Sequence, residues 1–181
     1  EGRHHIEILI RLKDEAEEAI LPMAFIPTAE RYGLMSKIDF YVLEKTCQFL
    51  RDHPLDHYIY SINISGQTLS STVDMERITS FLQSCEVDLG RICIEVTETV
   101  AIANLENATQ FLKQLQNLGC YVALDDFGTG LSSFSYLKNL PLDYIKIDGS
   151  FVKDMVSEKS SLMMVDAIHS VGKKLGLMTI A

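Results

Sequence analysis

Positive charge is in short supply in this 181-residue chain: 16 Lys and Arg stand against 25 Asp and Glu, a formal net charge of −9. An acidic surface argues against a DNA or RNA duplex, or an anionic membrane, as the main partner. A small phosphate ligand stays compatible with it, provided that local cations, either side chains or bound metal, offset the repulsion. Long apolar runs are missing as well. None approaches the roughly 18 residues that a membrane span needs, and no basic-then-apolar export signal opens the chain. The segment is therefore expected to be cytoplasmic, neither anchored nor exported by its own signals. Cys47, Cys85, Cys93 and Cys120 stand singly in apolar stretches with no CxxC spacing, which predicts reduced core residues. No second His/Cys cluster of zinc spacing accompanies His4-His5, which read as an ordinary strand start, and His53, His57 and His169 fall at surface positions. A GxGxxG turn after the first strand is also absent, which counts against a doubly wound dinucleotide fold.

What is present is enough apolar residue, 47%, to bury a sizeable core, and a length that suits one domain over residues 1–181. HIEILIRL, from His5 to Leu12, alternates cleanly and predicts one strand with a polar face. The acidic run Lys13 to Glu18 reads as a solvated loop. Pro22 suits the first turn of a helix that Gly33 would close, and Ser36, with Asp39 three residues on, suits the N-cap of the next helix, which stops at His53-Pro54. Further strands are predicted at His57 to Ile64, Arg91 to Thr97, from Tyr121, at Tyr144 to Asp148 and from Leu177. Helices are predicted around Met75 to Leu82, Asn104 to Leu118 and Ser160 to Leu175. Six strands joined by crossovers of roughly 20 to 45 residues are the signature of a parallel sheet. Length alone suits an open sheet, whereas a polar residue emerging near the C-terminal end of nearly every strand suits a barrel mouth.

The densest chemistry lies in YVALDDFGTGLSSFSYL, Tyr121 to Leu137. Neighbouring side chains on a strand point to opposite faces, so Asp125 and Asp126 can share a site only where the strand ends and the backbone turns. Gly128 and Gly130 would permit that turn, and Ser132 would cap a helix running through Phe134 and Leu137. Taken alone, the pair fits either a capped turn or hard-metal ligands. Glu7, Asn63, Glu95, Asp125 and Lys146 all fall on the polar face of a predicted strand. Three or more carboxylates facing one lumen with a single Lys are too acidic to be stable without a cation. Oxygen ligands point to Mg²⁺, Mn²⁺ or Ca²⁺, and adjacent acids would let one carboxylate bridge two ions. For any one of these residues, a salt bridge to Lys146 or Arg11 is the alternative.

These motifs resemble those of the EAL domain, the cyclic-di-GMP phosphodiesterase module of bacteria. EIL at Glu7 to Leu9, followed by Ile10-Arg11, is similar to the EAL-LLR motif with Ile in place of the middle Ala. FIPTAERYGLM, NIS at Asn63 to Ser65, EVTET at Glu95 to Thr99, DDFGTG and LPLDYIKID also stand where that family's pattern places them. The resemblance implies a TIM-type (β/α) barrel of the EAL kind. It implies that Glu7, Asn63, Glu95 and Asp125 ligate one Mg²⁺ or Mn²⁺ and that Asp125 with Asp126 ligates a second. Lys146 would orient or help activate the attacking water, Arg11 would contact a ligand phosphate with Leu9 beside the substrate, and Glu98 would pin the loop from Phe127 to Ser133. Cyclic di-GMP would be hydrolysed to linear pGpG. A homodimer through the loop after Asp126, and sensor or cyclase domains on the N-terminal side, are further expectations of the likeness.

Three departures accompany it. The family's preceding strand and its last strand fall outside this sequence, the glutamate that the pattern places after Ala181 would be a second-metal ligand, and Leu131 stands where an aromatic is more usual. Two other functions remain open on the residues: a receptor that holds the dinucleotide without hydrolysis, and a Mg²⁺-dependent barrel acting on a carboxylate substrate. The second needs a base pair of Lys or His on late strands, where Lys146 stands alone.

Overall fold

The computed structural model describes residues 4–55, 57–129 and 134–181. The chain divides into two compact units, the first ending at Cys93 and the second beginning at Ile94. In the first, β1 (His5–Glu7) is followed by β2 (Leu12–Lys13), β3 (Ala19–Ile20), α1 (Pro22–Arg31) and α2 (Met35–Asp52). Next come β4 (Ile59–Asn63), α3 (Gly66–Leu69) and α4 (Thr72–Ser84), and β5 (Ile92–Thr97) runs across the division. The second unit continues with α5 (Glu98–Ala103), α6 (Leu105–Leu118), β6 (Tyr121–Phe127), β7 (Tyr144–Ile147), α7 (Gly149–Asp154), α8 (Lys159–Leu175) and β8 (Met178–Ile180). Among the described residues, no helix is long and apolar enough to cross a membrane.

In the first unit β1 and β4 pair in parallel, Glu7 opposite Ser61, and Ile8 N–H extends the ladder to Ser61 O at 2.9 Å. The strand stops there. The alternation from His5 to Leu12 belongs to two strands, because Leu12–Lys13 turns away to pair antiparallel with Ala19–Ile20. Asp14 makes that hairpin: its Oδ1 accepts from Ala16 N–H at 2.9 Å and Glu18 N–H at 2.8 Å, so the acidic run is a structured turn. A period of two cannot separate one strand from two, and the hydrogen bonding of the turn decides it. Pro22 opens α1 and Gly33 closes it, at φ 66°, with Leu34 N–H returned to Ala29 O at 2.9 Å. Ser36 does not cap α2, since the helix starts at Met35 with Leu34 in the N-cap position, two residues before Ser36, and no side-chain cap.

Asp39 has a different task from helix capping. Its Oδ2 accepts from Ser65 N–H at 2.9 Å, Ser65 Oγ at 2.6 Å and Thr68 Oγ1 at 2.7 Å, tying α2 to the turn that follows Asn63. Leu43, Cys47, Leu69, Ile78 and Leu82 are buried from the helices, and Ile59 and Ile62 from opposite faces of β4, which is covered on both sides. Arg91 reinforces this unit by donating to His53 O at 2.9 Å, at the end of α2.

The sheet of the second unit runs in the order β5-β6-β7-β8. The β6–β7 and β7–β8 pairs are parallel, with Ala123 opposite Tyr144 and Lys146 opposite Ile180. Ile94, Val96, Val122, Leu124 and Ile145 are buried beneath the helical stripe Phe111, Leu112 and Leu115, and Ile168 from α8. All four cysteines are free, Cys47, Cys93 and Cys120 buried and Cys85 half-buried. Two helices of six residues, α5 and α7, and the four-residue α3 escape periodicity because they are too short to show one. Gly130, Leu131 and Ser132, expected to turn and cap the central loop, lie outside the described residues. Downstream, Phe134–Asn139 winds as a 3-10 helix in place of the expected α-helix.

The buried Asp39 network supplies a stability test. Asp39→Ala strips the acceptor from three donors and is expected to cost about 3 kcal/mol in urea unfolding. Burial raises the Asp39 carboxyl above its ordinary 3.8, against the pull of the Ser65 and Thr68 hydrogen bonds. The folded state therefore binds that proton more tightly than the unfolded chain, and stability from this group declines as pH rises through the raised value. Asp39→Asn lacks that slope. The stability difference should move in its favour as pH rises above the ordinary carboxyl value of 3.8, and a difference that ignores pH would contradict the assignment.

Candidate functional site

In the first unit, β1 and β4 each end on one predicted ligand. Glu7 lies opposite Ser61, so Asn63, two residues further on, shares its face, and Asn63 Nδ2 donates to Glu7 Oε1 at 2.9 Å. Both side chains are exposed. Leu9 lines a cavity of about 150 Å³ with Asn63 and Asp39. Arg11 lines a different one of about 360 Å³, with Tyr41, Lys45 and Phe49, and its guanidinium donates to the neighbouring Ile10 O at 2.9 Å. The structure thus pairs Glu7 with Asn63, sets Leu9 on a cavity with Asn63, and sets Arg11 on a second cavity that shares Ile8, Ile10 and Val42 with the first.

The second unit gathers Glu95, Asp125 and Lys146. Lys146 Nζ donates to Glu95 Oε2 at 2.5 Å and to Asp125 Oδ2 at 3.1 Å. Glu95 is 1% exposed, and the other two side chains are 17% exposed. Burial alone would lower the Lys146 pKa. The Glu95 hydrogen bond and charge, with Asp125 behind them, outweigh burial and hold the ammonium above the ordinary lysine range. The ion pairs that formed the alternative reading of these residues therefore exist, and two carboxylates meet one ammonium in them.

A β-bulge brings the second aspartate to this end of β6. Leu124 lies opposite Ile145 and Phe127 opposite Ile147, so Asp125 and Asp126 together face the single residue Lys146. Asp126 takes up the extra length in the left-handed region, at φ 53°, and is exposed. Gly128 follows at φ 105°, where a Cβ would meet Phe151 at 3.0 Å and Ile168 at 3.1 Å, so a side chain is excluded twice over.

Glu98 opens α5 directly after β5 and is 3% exposed. Its Oε2 accepts from Gly128 N–H at 3.0 Å and its Oε1 from the Tyr136 hydroxyl at 2.7 Å. Burial, and then the Glu98 carboxylate, raise the Tyr136 pKa, which keeps the phenol protonated as a donor. The carboxylate therefore holds loop backbone and lies apart from the Glu95–Lys146–Asp125 group. The part of the loop at residues 130–133 that it was expected to pin lies outside the described residues. Tyr136 was not foreseen, because no local spacing relates a tyrosine in a 3-10 turn to a glutamate at the start of a distant helix.

The family model of the EAL domain matches residues 1–181. This chain belongs to the EAL domain family. A relative in Shewanella oneidensis named cyclic di-GMP phosphodiesterase PdeB is 38% identical over 182 residues, covering 99% of this chain and 21% of that protein. Cyclic di-GMP phosphodiesterase PdeF of Escherichia coli is 35% identical, covering 99% of this chain and 24% of that one. This EAL domain thus spans about a fifth to a quarter of the length of these curated relatives. Among solved structures, the PaMucR phosphodiesterase in complex with c-di-GMP is 29% identical, with a TM-score of 0.86 over 96% of this chain and 71% of that one. The FimX EAL domain from Pseudomonas aeruginosa bound to c-di-GMP, at 23% identity, shows the shared fold, with a TM-score of 0.90 over 99% of this chain and 72% of that one. The fold is accordingly the TIM-type (β/α) fold of EAL domains, as the motifs imply.

The bulge carries a measurable strain. A non-glycine residue in the left-handed region costs roughly 1–2 kcal/mol, less for Asp than for Ala. Asp126→Gly is expected to melt above Asp126→Ala by an amount equivalent to about 1 kcal/mol, although both lose the same carboxylate. Equal melting temperatures would show that the bulge is relaxed.

Proposed function

We propose that this EAL domain hydrolyses cyclic di-GMP to linear pGpG with Mg²⁺ or Mn²⁺ bound at the ends of its strands. The observation that carries the proposal is the Glu95–Lys146–Asp125 group beside the Asp125–Asp126 bulge. There, two largely buried carboxylates share one ammonium, with a third carboxylate adjacent. Buried negative charge in excess of its counter-charge favours a bound cation. The donors are oxygens throughout, the chemistry of a hard divalent ion, so the residues fit the group. In this proposal Glu7, Asn63, Glu95 and Asp125 hold one ion, and Asp125 with Asp126 holds a second. Such ions, when bound, lower the pKa of a coordinated water and neutralise charge on the reacting phosphate.

The chain's own groups supply the positioning. Lys146 is an ammonium donor fixed between Glu95 and Asp125, placed to orient a water or a phosphate oxygen without leaving its anchors. Asn63 orients Glu7 through its amide, Nδ2 donating to Glu7 Oε1 at 2.9 Å. Arg11 and Leu9 contact the dinucleotide, the guanidinium on a phosphate. Substrate identity rests on the family and on relatives named for cyclic di-GMP.

The test is incubation of the longest natural chain carrying this segment with cyclic di-GMP and Mg²⁺ or Mn²⁺. Appearance of the linear dinucleotide supports hydrolysis, whereas binding without any linear product overturns it in favour of a receptor. Asp125→Ala should abolish turnover and weaken metal binding, because it removes the carboxylate assigned to both ions. Glu98→Ala should leave the first ion bound while activity is lost through the unpinned Gly128 backbone. Loss of the first ion in the Glu98 variant would show that Glu95 and Glu98 have been assigned the wrong way round.

A further inference from the structure

We infer that Tyr136 is a positioning residue for the Asp125–Asp126 pair, acting as one half of a clasp whose other half is Gly128 and whose hub is the Glu98 carboxylate; this rests on the hydrolase reading above and deepens it. The hub is a buried carboxylate whose two oxygens are each spoken for by a different donor: Gly128 N–H on Oε2 at 3.0 Å and Tyr136 O–H on Oε1 at 2.7 Å. One group thereby holds the Gly128 backbone before residues 130–133 and the Tyr136 side chain after them, and it does so from α5, outside the loop.

The position of Gly128 makes the clasp matter to the pair. It follows Asp126 by two residues, and the intervening Phe127 is held by Asp148 N–H on its carbonyl at 3.2 Å. Phe151 and Ile168 close off the glycine's other side. The strained φ of Asp126 persists because its surroundings over-determine it, with the β6 ladder before it and the Gly128 anchor after it. Without its hydroxyl, Tyr136 leaves Glu98 Oε1 buried with one charge-assisted donor fewer. The carboxylate then relaxes by turning toward water, and its bond to Gly128 weakens. The bulge loses its downstream anchor, and the spacing of the two aspartates broadens.

The test compares wild type with Tyr136→Phe, which keeps the ring and removes only the donor. Mn²⁺ binding is read by calorimetric titration, exchange of the Gly128 amide by NMR, and cyclic-di-GMP hydrolysis as a function of Mn²⁺. The expected result is Mn²⁺ affinity weakened about tenfold or more, the range found for partners that orient metal ligands. Gly128 exchange should be faster, and excess Mn²⁺ should restore most of the lost turnover with KM for the dinucleotide nearly unchanged. A residue that only supports the fold would lower the melting temperature and leave the Mn²⁺ titration where it was, and that outcome overturns the inference. So does unchanged exchange at Gly128. Should Tyr136→Phe fail to fold, Glu98→Gln carries the same readouts, since its amide oxygen can accept from only one of the two donors at full strength. A wild type that binds Mn²⁺ without hydrolysing the dinucleotide sinks the hydrolase reading alone, because the titration and the exchange rate still decide the clasp.

Discussion

The Lys146 ammonium is shared by two carboxylates, and the chemistry of the second unit depends on that imbalance. Glu95 lies in the interior of the unit, where a lone carboxylate is too costly to keep ionised without a partner. Lys146 provides one and draws in Asp125 as well. The arrangement is stable enough to fold and still carries an excess of negative charge. A site neutralised completely by its own side chains would have little affinity for a divalent ion, and one with no internal cation would repel its own carboxylates apart. For the proposed metal site, an intermediate balance would hold the oxygen atoms close together ahead of the ion, so that binding need not supply the cost of assembling them.

Geometry follows from the same strand pair. A regular β6 would send Asp125 and Asp126 to opposite faces, and only one could belong to the site. The bulge opposite Lys146 removes that restriction at the cost of a left-handed Asp126. A strained residue stays put only if both of its flanks are held. The ladder to β7 holds one flank, while Glu98, Asp148 and the seat of Gly128 against α7 and α8 hold the other. Residues outside the Glu95–Lys146–Asp125 group thus decide where the aspartates stand. In the first unit Asp39 has a parallel part, since it anchors the turn that begins just after Asn63.

Strand patterning made much of this legible beforehand. Ile59–Asn63, Ile92–Thr97 and Tyr144–Ile147 alternate or run apolar between clear stops, and each delivers its polar residue where alternation places it. Gly33 and Gly119 closed their helices as their lack of a Cβ predicts. The misses share one cause: side chains that bond across the fold. Ser36 with Asp39 looks like a capping pair, but Asp39 is claimed by Ser65 and Thr68. Leu12 continues the alternation of β1 in sequence and leaves it in space, because Asp14 builds a turn. The Asp-Asp pair announced a turn without revealing that it is a bulge, since register depends on the partner strand. Tyr136 offers no local signal at all.

The excess negative charge around Lys146 is tested most directly by melting the protein against Mn²⁺, with Asp125→Asn as the control. A ligand that binds only the folded state at a hundred times its Kd stabilises it by about 2.7 kcal/mol, which for a domain of this size is a rise of roughly 5–10 °C. A saturable rise of that order is expected in the wild type and a much smaller one in Asp125→Asn. No rise in the wild type, or the same rise in both, would show that Lys146 already balances the site and that the carboxylates are structural ion pairs.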